Sequence, residues 1–174
     1  MVKEIELSQG MVALVDDADF EELASHKWYV SRIRRTYYAK RNEPKVGGGQ
    51  RTILMHRVIL NAPPGMQVDH INGDGLNNRR YNLRLATNRQ NGASRKHKQL
   101  GTSSSFLGVY WQKCAGKWRS EIKANGTQKH IGYFDSEIDA AFAYNEAALE
   151  LHGKFASIND LDNPGELISA AEQS

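Results

Sequence analysis

The sequence predicts an α+β protein: N-terminal strands lead into a strand–loop–strand–helix unit, then a small three-stranded antiparallel sheet is backed by one helix. Three observations carry this expectation. Short alternating or wholly apolar runs recur between turn residues along most of the 174 residues, as strands require. Residues 136–151 carry the capping residues and spacing of a single long helix. Between the two parts, residues 95–105 turn basic and then Ser-rich, the composition of a linker.

The elements follow in order. Ile5-Glu6-Leu7 and Met11–Val15 read as strands across the Ser8-Gln9-Gly10 turn. Asp16, Asp17 and Asp19 offer N-caps to a short helix whose face is Phe20, Leu23 and Ala24. Trp28-Tyr29-Val30 and Thr36–Ala39 read as strands joined by a basic turn, with their aromatic residues in a core. Pro44–Gly49 reads as a flexible loop. Ile53–Leu60 is an apolar segment ended by Pro63-Pro64-Gly65. Met66-Gln67-Val68 is a strand that leads into Asp69-His70, Asn72–Gly75 is a turn, and Leu83–Ala86 alternates as the returning strand. Thr87 can cap a short helix through Asn91. Beyond the linker, Gly108–Gln112, Lys117–Ala124 and Lys129–Phe134 read as strands with turns at Ala115-Gly116 and Asn125-Gly126. Ser136 opens the last helix to Leu151, and Gly153 closes it.

Composition narrows the function classes. Mean hydropathy is −0.61 and no apolar run approaches the ~18 residues of a membrane span, so no membrane association is expected. The N-terminus, Met1-Val2-Lys3-Glu4-Ile5-Glu6, lacks an apolar signal core, so no secretory signal and a cytoplasmic location are expected. The one cysteine, Cys114, excludes an intrachain disulfide and argues against a cysteine-rich zinc site. Charge falls in blocks: −5 over 1–30, +12 over 31–100, +4 over 101–134 and −8 over 135–174, within a total of +3. A basic centre suits a phosphate backbone, and a solvated basic surface is the plain alternative.

Asp69, His70, Asn82 and Asn91 form the most informative set. The hairpin should return Asn82 beside Asp69-His70, and the helix should bring Asn91 up to both. An Asp carboxylate and an Asn carbonyl suit a hard divalent cation; a neutral imidazole can take a proton from water. With a phosphodiester completing the shell, that suffices for one-metal hydrolysis. The Asp-His dipeptide alone reads first as a turn in which Asp69 caps backbone amides.

The surrounding sequence is more specific. Met55-His56-Arg57, Val68–Thr87 with Asp69-His70-Ile71-Asn72-Gly73-Asp74-Gly75 and Asn82-Leu83-Arg84, and Gln90-Asn91 resemble the HNH homing endonucleases of phages and mobile introns, which share a ββα-metal nuclease motif. The resemblance covers about 51–95. It implies that Asp69 and Asn91 bind the metal, that His70 is the general base, and that Asn82 orients the histidine and holds the loop. His56 and Arg57 become supporting residues, with His56 a structural prop or phosphate contact. The cofactor implied is a divalent metal, Mg²⁺ or Mn²⁺, with no structural zinc. Where the family often has Asp-Asn, this chain has Asn77-Asn78, which puts loop support at that position in question.

Residues 106–159 resemble the APETALA2/ethylene-response-factor DNA-binding domain, through Leu107–Trp111, Gly116–Ile122, Ile131–Asp135, Ala140–Asn145 and Leu151–Asn159. Alternation gives the middle strand two faces. Trp118, Ser120 and Ile122 point to the helix. Arg119, Glu121 and Lys123 point away, with Tyr110, Gln112, Gln128 and His130 beside them. Such a face can enter a major groove and read base edges, while Glu121 can instead order Arg119 and Lys123. Lys96 and Lys98 are phosphate-contact candidates in the linker.

The expected divisions are 1–50, a β-rich lead-in; 51–95, the nuclease core; 96–105, the linker; 106–160, the DNA-reading domain; and 161–174, an acidic tail. The resemblance implies a site-specific, metal-dependent endonuclease of homing type. It would act on double-stranded DNA as a monomer without an obligate protein partner, in a bacterial or phage-infected cell. The alternative is a DNA-binding transcriptional regulator whose nuclease motif is inactive.

Overall fold

Strand alternation and turn chemistry organise the chain into two units, Met1–Asn88 and Arg89–Ser174. The structure, a computed structural model, describes residues 1–94 and 103–172; Lys96 and Lys98 lie outside the described residues. Among those residues no helix is long and apolar enough to cross a membrane.

In the first unit β1 (Val2–Glu6) pairs antiparallel with β2 (Val12–Asp16), burying Ile5, Ala13 and Val15. Helix α1 (Asp17–Ala24) follows directly, with Asp17 and Asp19 in its first turn, where carboxylates suit the positive helix end. Its Leu23 meets Trp28, whose indole Nε1 donates to the Leu23 carbonyl at 2.7 Å. Strands β3 (Tyr29–Ile33), β4 (Thr36–Pro44) and β5 (Gln50–Leu54) form an antiparallel sheet in that order. Pro44 pairs with Gln50, so the expected flexible loop shrinks to the turn of a hairpin. β5 runs straight into α2 (Met55–Ile59), which buries Met55, His56 and Ile59. Then β6 (Gln67–His70) and β7 (Leu83–Ala86) pair antiparallel. Helix α3 (Asn88–Ala93) starts at the last residue of this unit.

The β3–β4 turn contains Arg34 and Arg35 alone between the paired Ile33 and Thr36. Arg34 has φ +57, a left-handed conformation that costs an L residue about 1–2 kcal/mol and glycine nothing sterically. Arg34→Gly should therefore raise stability by about 0.5 kcal/mol net of the added chain entropy. A urea midpoint at or below wild type would contradict this reading.

In the second unit β8 (Val109–Gln112), β9 (Lys117–Ala124) and β10 (Thr127–Phe134) form an antiparallel sheet with β9 central. Helix α4 (Glu137–His152) begins at Ser136, whose hydroxyl accepts from the Ile138 and Asp139 amides. Ala140, Ala141 and Ala148 are fully buried, and their small side chains let α4 lie close to the sheet. Gly108 is required twice over: its φ is +76, and a Cβ there would come 2.3 Å from the Tyr144 ring and 2.6 Å from the Glu121 carbonyl.

Two expectations need correction. Within the stretch expected as a tail, β12 (Leu167–Ser169) pairs with β11 (Ser157–Asn159), and Ala170 joins the core. The Ser-rich end of the linker is also tied down. Ser103 and Ser104 hydroxyls accept from the Trp111 and Phe106 amides, and the Ser105 amide donates to Glu137.

Asn159 links three segments. Its side chain accepts from the Leu107 amide at 2.6 Å and donates to the Leu107 carbonyl at 3.2 Å. Its backbone exchanges two bonds with the Asn145 amide group, at 2.7 and 2.9 Å. Asn159→Ala leaves the buried Leu107 groups without these partners, so it should cost about 2–4 kcal/mol. Chemical denaturation measures this, and a loss below ~1 kcal/mol would show that the clamp contributes little.

Candidate active site

The β6–β7 register sets Asp69 opposite Arg84 and His70 opposite Leu83. Side chains directly opposite share a face, and the guanidinium reaches the carboxylate. Arg84 Nε and Nη2 lie 2.8 and 2.6 Å from Asp69 Oδ2. Both residues are buried. A buried pair is strongly destabilised when either partner is removed, so Asp69 and Arg84 hold one another in place.

His70 ends β6 and is 5% exposed. Its Nε2 lies 3.2 Å from Asn78 Oδ1. The His56 ring meets His70 edge-on at 5.0 Å between centroids, and Tyr38 packs 5.7 Å from His70 and 5.5 Å from His56. Thus β4, α2 and the loop after β6 each contribute a wall around the imidazole.

That loop is tied to itself and to its surroundings. Asn72 and Asp74 side chains accept from the Asp74 and Leu76 amides, both at 2.9 Å, forming successive Asx turns. Asn82 donates to the Asn77 carbonyl at 2.7 Å and accepts from the Asn72 amide at 3.0 Å. Asn82 thus places both ends of its amide on loop backbone, whereas the bond to the His70 ring described here comes from Asn78. The chain at 76–78 pairs with β2: Leu14 donates to Leu76, and Asn78 donates to Leu14, at 2.9 and 2.8 Å. At Gly75 the loop presses on β4, where a Cβ would stand 2.3 Å from the Tyr37 carbonyl. Asn77 Oδ1 accepts from Arg79 Nε at 3.0 Å, so this departure from the family pattern still takes part in the loop's bonding.

Arg57 serves the connection between α2 and β6. Its guanidinium donates to the Met66, Ala62 and Pro63 carbonyls at 2.7, 3.0 and 3.1 Å. Arg80 is engaged too, forming a forked ion pair with Asp19 at 2.6 and 2.9 Å, which raises its pKa further.

His56 is buried, and its Nδ1 has no hydrogen-bond partner among the described residues. Burial first, then the nearby His70 and Arg57, pushes its pKa from 6.5 down to about 3. The unfolded chain thus takes up this proton before the folded one. The resulting stability is present above pH 6.5 and lost as pH falls toward 3, with a slope of about 1.4 kcal/mol per pH unit. His56→Phe should flatten this contribution. Urea midpoints compared at about pH 7 and pH 5 test it; parallel losses in both proteins would remove His56 as the source.

The residues fit a divalent cation through hard oxygen chemistry. Asp69 supplies a carboxylate, whose Oδ2 takes the two Arg84 contacts. Among the described residues no group of three or more His, Cys, Asp or Glu is placed to hold a metal. A cation here would therefore draw on one carboxylate together with amide, water and phosphate oxygens. Asn91, the expected amide ligand, lies on α3, in the part of the helix assigned to the second unit.

In the second unit the register lines up the other candidates. Tyr110, Arg119 and Tyr133 form one row across the sheet; Glu121 faces His130, Lys123 faces Gln128, and Gln112 faces Lys117. Arg119 is not a loose arm: it pairs with Glu121 at 2.9 Å and lies over the Tyr110 ring. Burial and a hydrogen bond to Glu121 push the Tyr110 pKa up to about 12. Ser120 and Ile122 are buried on the opposite face.

Sequence reasoning passed over Asn78, Arg84 and Tyr38 as site residues. A signal for Arg84 was available: antiparallel pairing across a hairpin sets a charged residue opposite Asp69. Asn78 had one in the family's Asp-Asn pattern, whose second residue it keeps; Tyr38, on a distant strand, gave none.

Residues 54–93 match a family model described as HNH endonuclease. The chain is 31% identical over 148 residues to an uncharacterized HNH endonuclease of Acanthamoeba polyphaga mimivirus, covering 82% of this chain and 76% of that protein. It is 36% identical over 94 residues to protein 3.8 of Escherichia phage T7, covering 54% of this chain and 76% of that protein. A shorter stretch of 57 residues is 40% identical to APETALA2-like protein 2 of Oryza sativa, covering 33% of this chain and 13% of that protein. No solved structure matches.

Proposed function

This chain belongs to the HNH endonuclease family, and on that premise we propose that it is a site-specific, metal-dependent DNA endonuclease of homing type. The observation that carries the reading is the buried Asp69-His70 pair at the end of β6, with the His70 ring enclosed by Asn78, His56 and Tyr38, inside the segment that matches the family.

His70 takes a proton from the water that attacks the scissile phosphorus. One P–O bond forms and the bond to the leaving sugar oxygen breaks, that oxygen taking its proton from solvent water. Asp69 and Asn91 would hold the cation, Mg²⁺ or Mn²⁺, which when bound stabilises charge on the phosphoryl and leaving oxygens. Arg84 keeps the Asp69 carboxylate in one position, and Asn82 keeps the loop closed beneath the site. The face carrying Tyr110, Gln112, Arg119, Glu121, Lys123, Gln128 and His130 reads the DNA target. Lys96 and Lys98 add phosphate contacts, so the rear module supplies specificity and affinity. We place the enzyme, as a monomer, in a bacterial or phage-infected cell.

One observation favours a second reading. Arg84 sets two N–H groups on Asp69 Oδ2, and its charge opposes a cation at the same carboxylate. A chain in which that pair never yields would bind DNA without cutting it, as a regulator.

Purified protein incubated with candidate target DNA and plasmid DNA in Mg²⁺, Mn²⁺ or EDTA, with both strands' ends mapped, separates the readings. Wild type should cut in metal and not in EDTA. Asp69→Ala and His70→Ala should each lose about 100-fold or more in rate while their DNA affinity in EDTA stays near wild type. Wild-type cleavage by His70→Ala would remove His70 as the base, and binding without cleavage under every condition would support the regulator.

A further inference from the structure

We propose that Asn78 is a positioning residue that sets the tautomer of His70, so that Nε2 carries the ring proton and Nδ1 is the nitrogen that accepts one. This inference rests on the base role proposed for His70.

The two ends of the Asn78 amide have different partners. Nδ2 donates to the Leu76 carbonyl at 3.2 Å, and Oδ1 lies 3.2 Å from His70 Nε2. Turning the amide over would set Oδ1 against the Leu76 carbonyl, two acceptors with no proton between them. The Leu76 carbonyl therefore decides that oxygen, not nitrogen, faces the histidine. An oxygen facing a neutral imidazole calls for an N–H, so Nε2 is the protonated nitrogen and Nδ1 has the lone pair.

The surroundings hold this arrangement. Asn78 is fully buried, so water does not compete for its amide. Its backbone N–H donates to Leu14 at 2.8 Å, and Leu14 donates to the Leu76 carbonyl at 2.9 Å. The same β2 residue thus positions both the Asn78 main chain and the carbonyl that orients its side chain. The His56 and Tyr38 rings pack around the imidazole and oppose its rotation away from Oδ1. The chain from strand β2 through Leu76 and Asn78 to His70 converts a backbone pairing into a choice of ring nitrogen.

The test reads the ring nitrogens directly. Full-length, metal-free protein labelled with ¹⁵N-histidine is examined at mildly alkaline pH, with Asn78→Leu and Asn78→Asp alongside. Wild-type His70 should show a protonated, pyrrole-type Nε2 and an unprotonated, pyridine-type Nδ1. Asn78→Asp, which keeps an acceptor oxygen, should retain that pattern and more of kcat. Asn78→Leu should average toward a mixture and lose about 10–100-fold in kcat, with KM near wild type. A pyridine-type Nε2 in wild type overturns the inference outright, even if Asn78→Leu fails to fold. An unaltered ¹⁵N pattern and kcat in folded Asn78→Leu would overturn it too. Because the spectrum needs no catalysis, a wild-type protein that never cuts DNA would defeat the proposed function while leaving the tautomer measurable.

Discussion

A cluster of buried polar groups must find its partners within the protein, and that constraint organises the first unit. Asp69, His70, Asn77, Asn78 and Asn82 are all buried, and an unmet hydrogen bond at any of them would cost stability comparable to a lost core methyl group or more. The loop between β6 and β7 meets the demand by folding on itself: Asn72, Asp74 and Asn82 bond loop backbone, while Arg84 answers the Asp69 charge. The result is a cross-bonded polar floor built from residue types that in isolation favour turns.

The same constraint explains why distant elements are needed. A loop bonded only to itself could shift as a body. Its pairing with β2 at Leu14 and its close approach to β4 at Gly75 prevent this. The aromatic walls come from Tyr38 on β4 and His56 on α2. A neutral, buried His56 can pack against His70 without placing a second charge beside it; its lowered pKa is the electrostatic record of that packing. The short hairpin therefore depends on the surrounding core for its precision, as functional sites generally depend on a supporting shell.

The second unit solves a different problem with similar chemistry. Its sheet is thin, so small alanines let α4 approach closely, and the Asn145–Asn159–Leu107 bonds join the helix, the last strand pair and the segment entering the sheet. On the outer face, Arg119, Glu121 and Tyr110 bind one another. Such mutual pairing orders long side chains before any ligand arrives and lowers the entropy cost of ordering them on binding.

The sequence by itself determined the local elements of this protein. Alternation and turn residues placed the three strands of the second unit, Ser136 and Gly153 bounded its helix, and the Asp69-His70 segment with its returning strand was legible because pattern and capping are short-range properties. The family resemblance drew attention to Asp69, His70 and Asn82 in the same way. Tertiary structure decided which group touches which. Asn78 rather than Asn82 meets the His70 ring in the bond seen here, Arg84 forks onto Asp69, Tyr38 and His56 enclose the imidazole, and residues 167–170 return to a core instead of trailing as a tail. These outcomes depend on side chains brought together from separate strands and on which polar atoms burial leaves in need of partners, and neither quantity exists in the chain until it has folded.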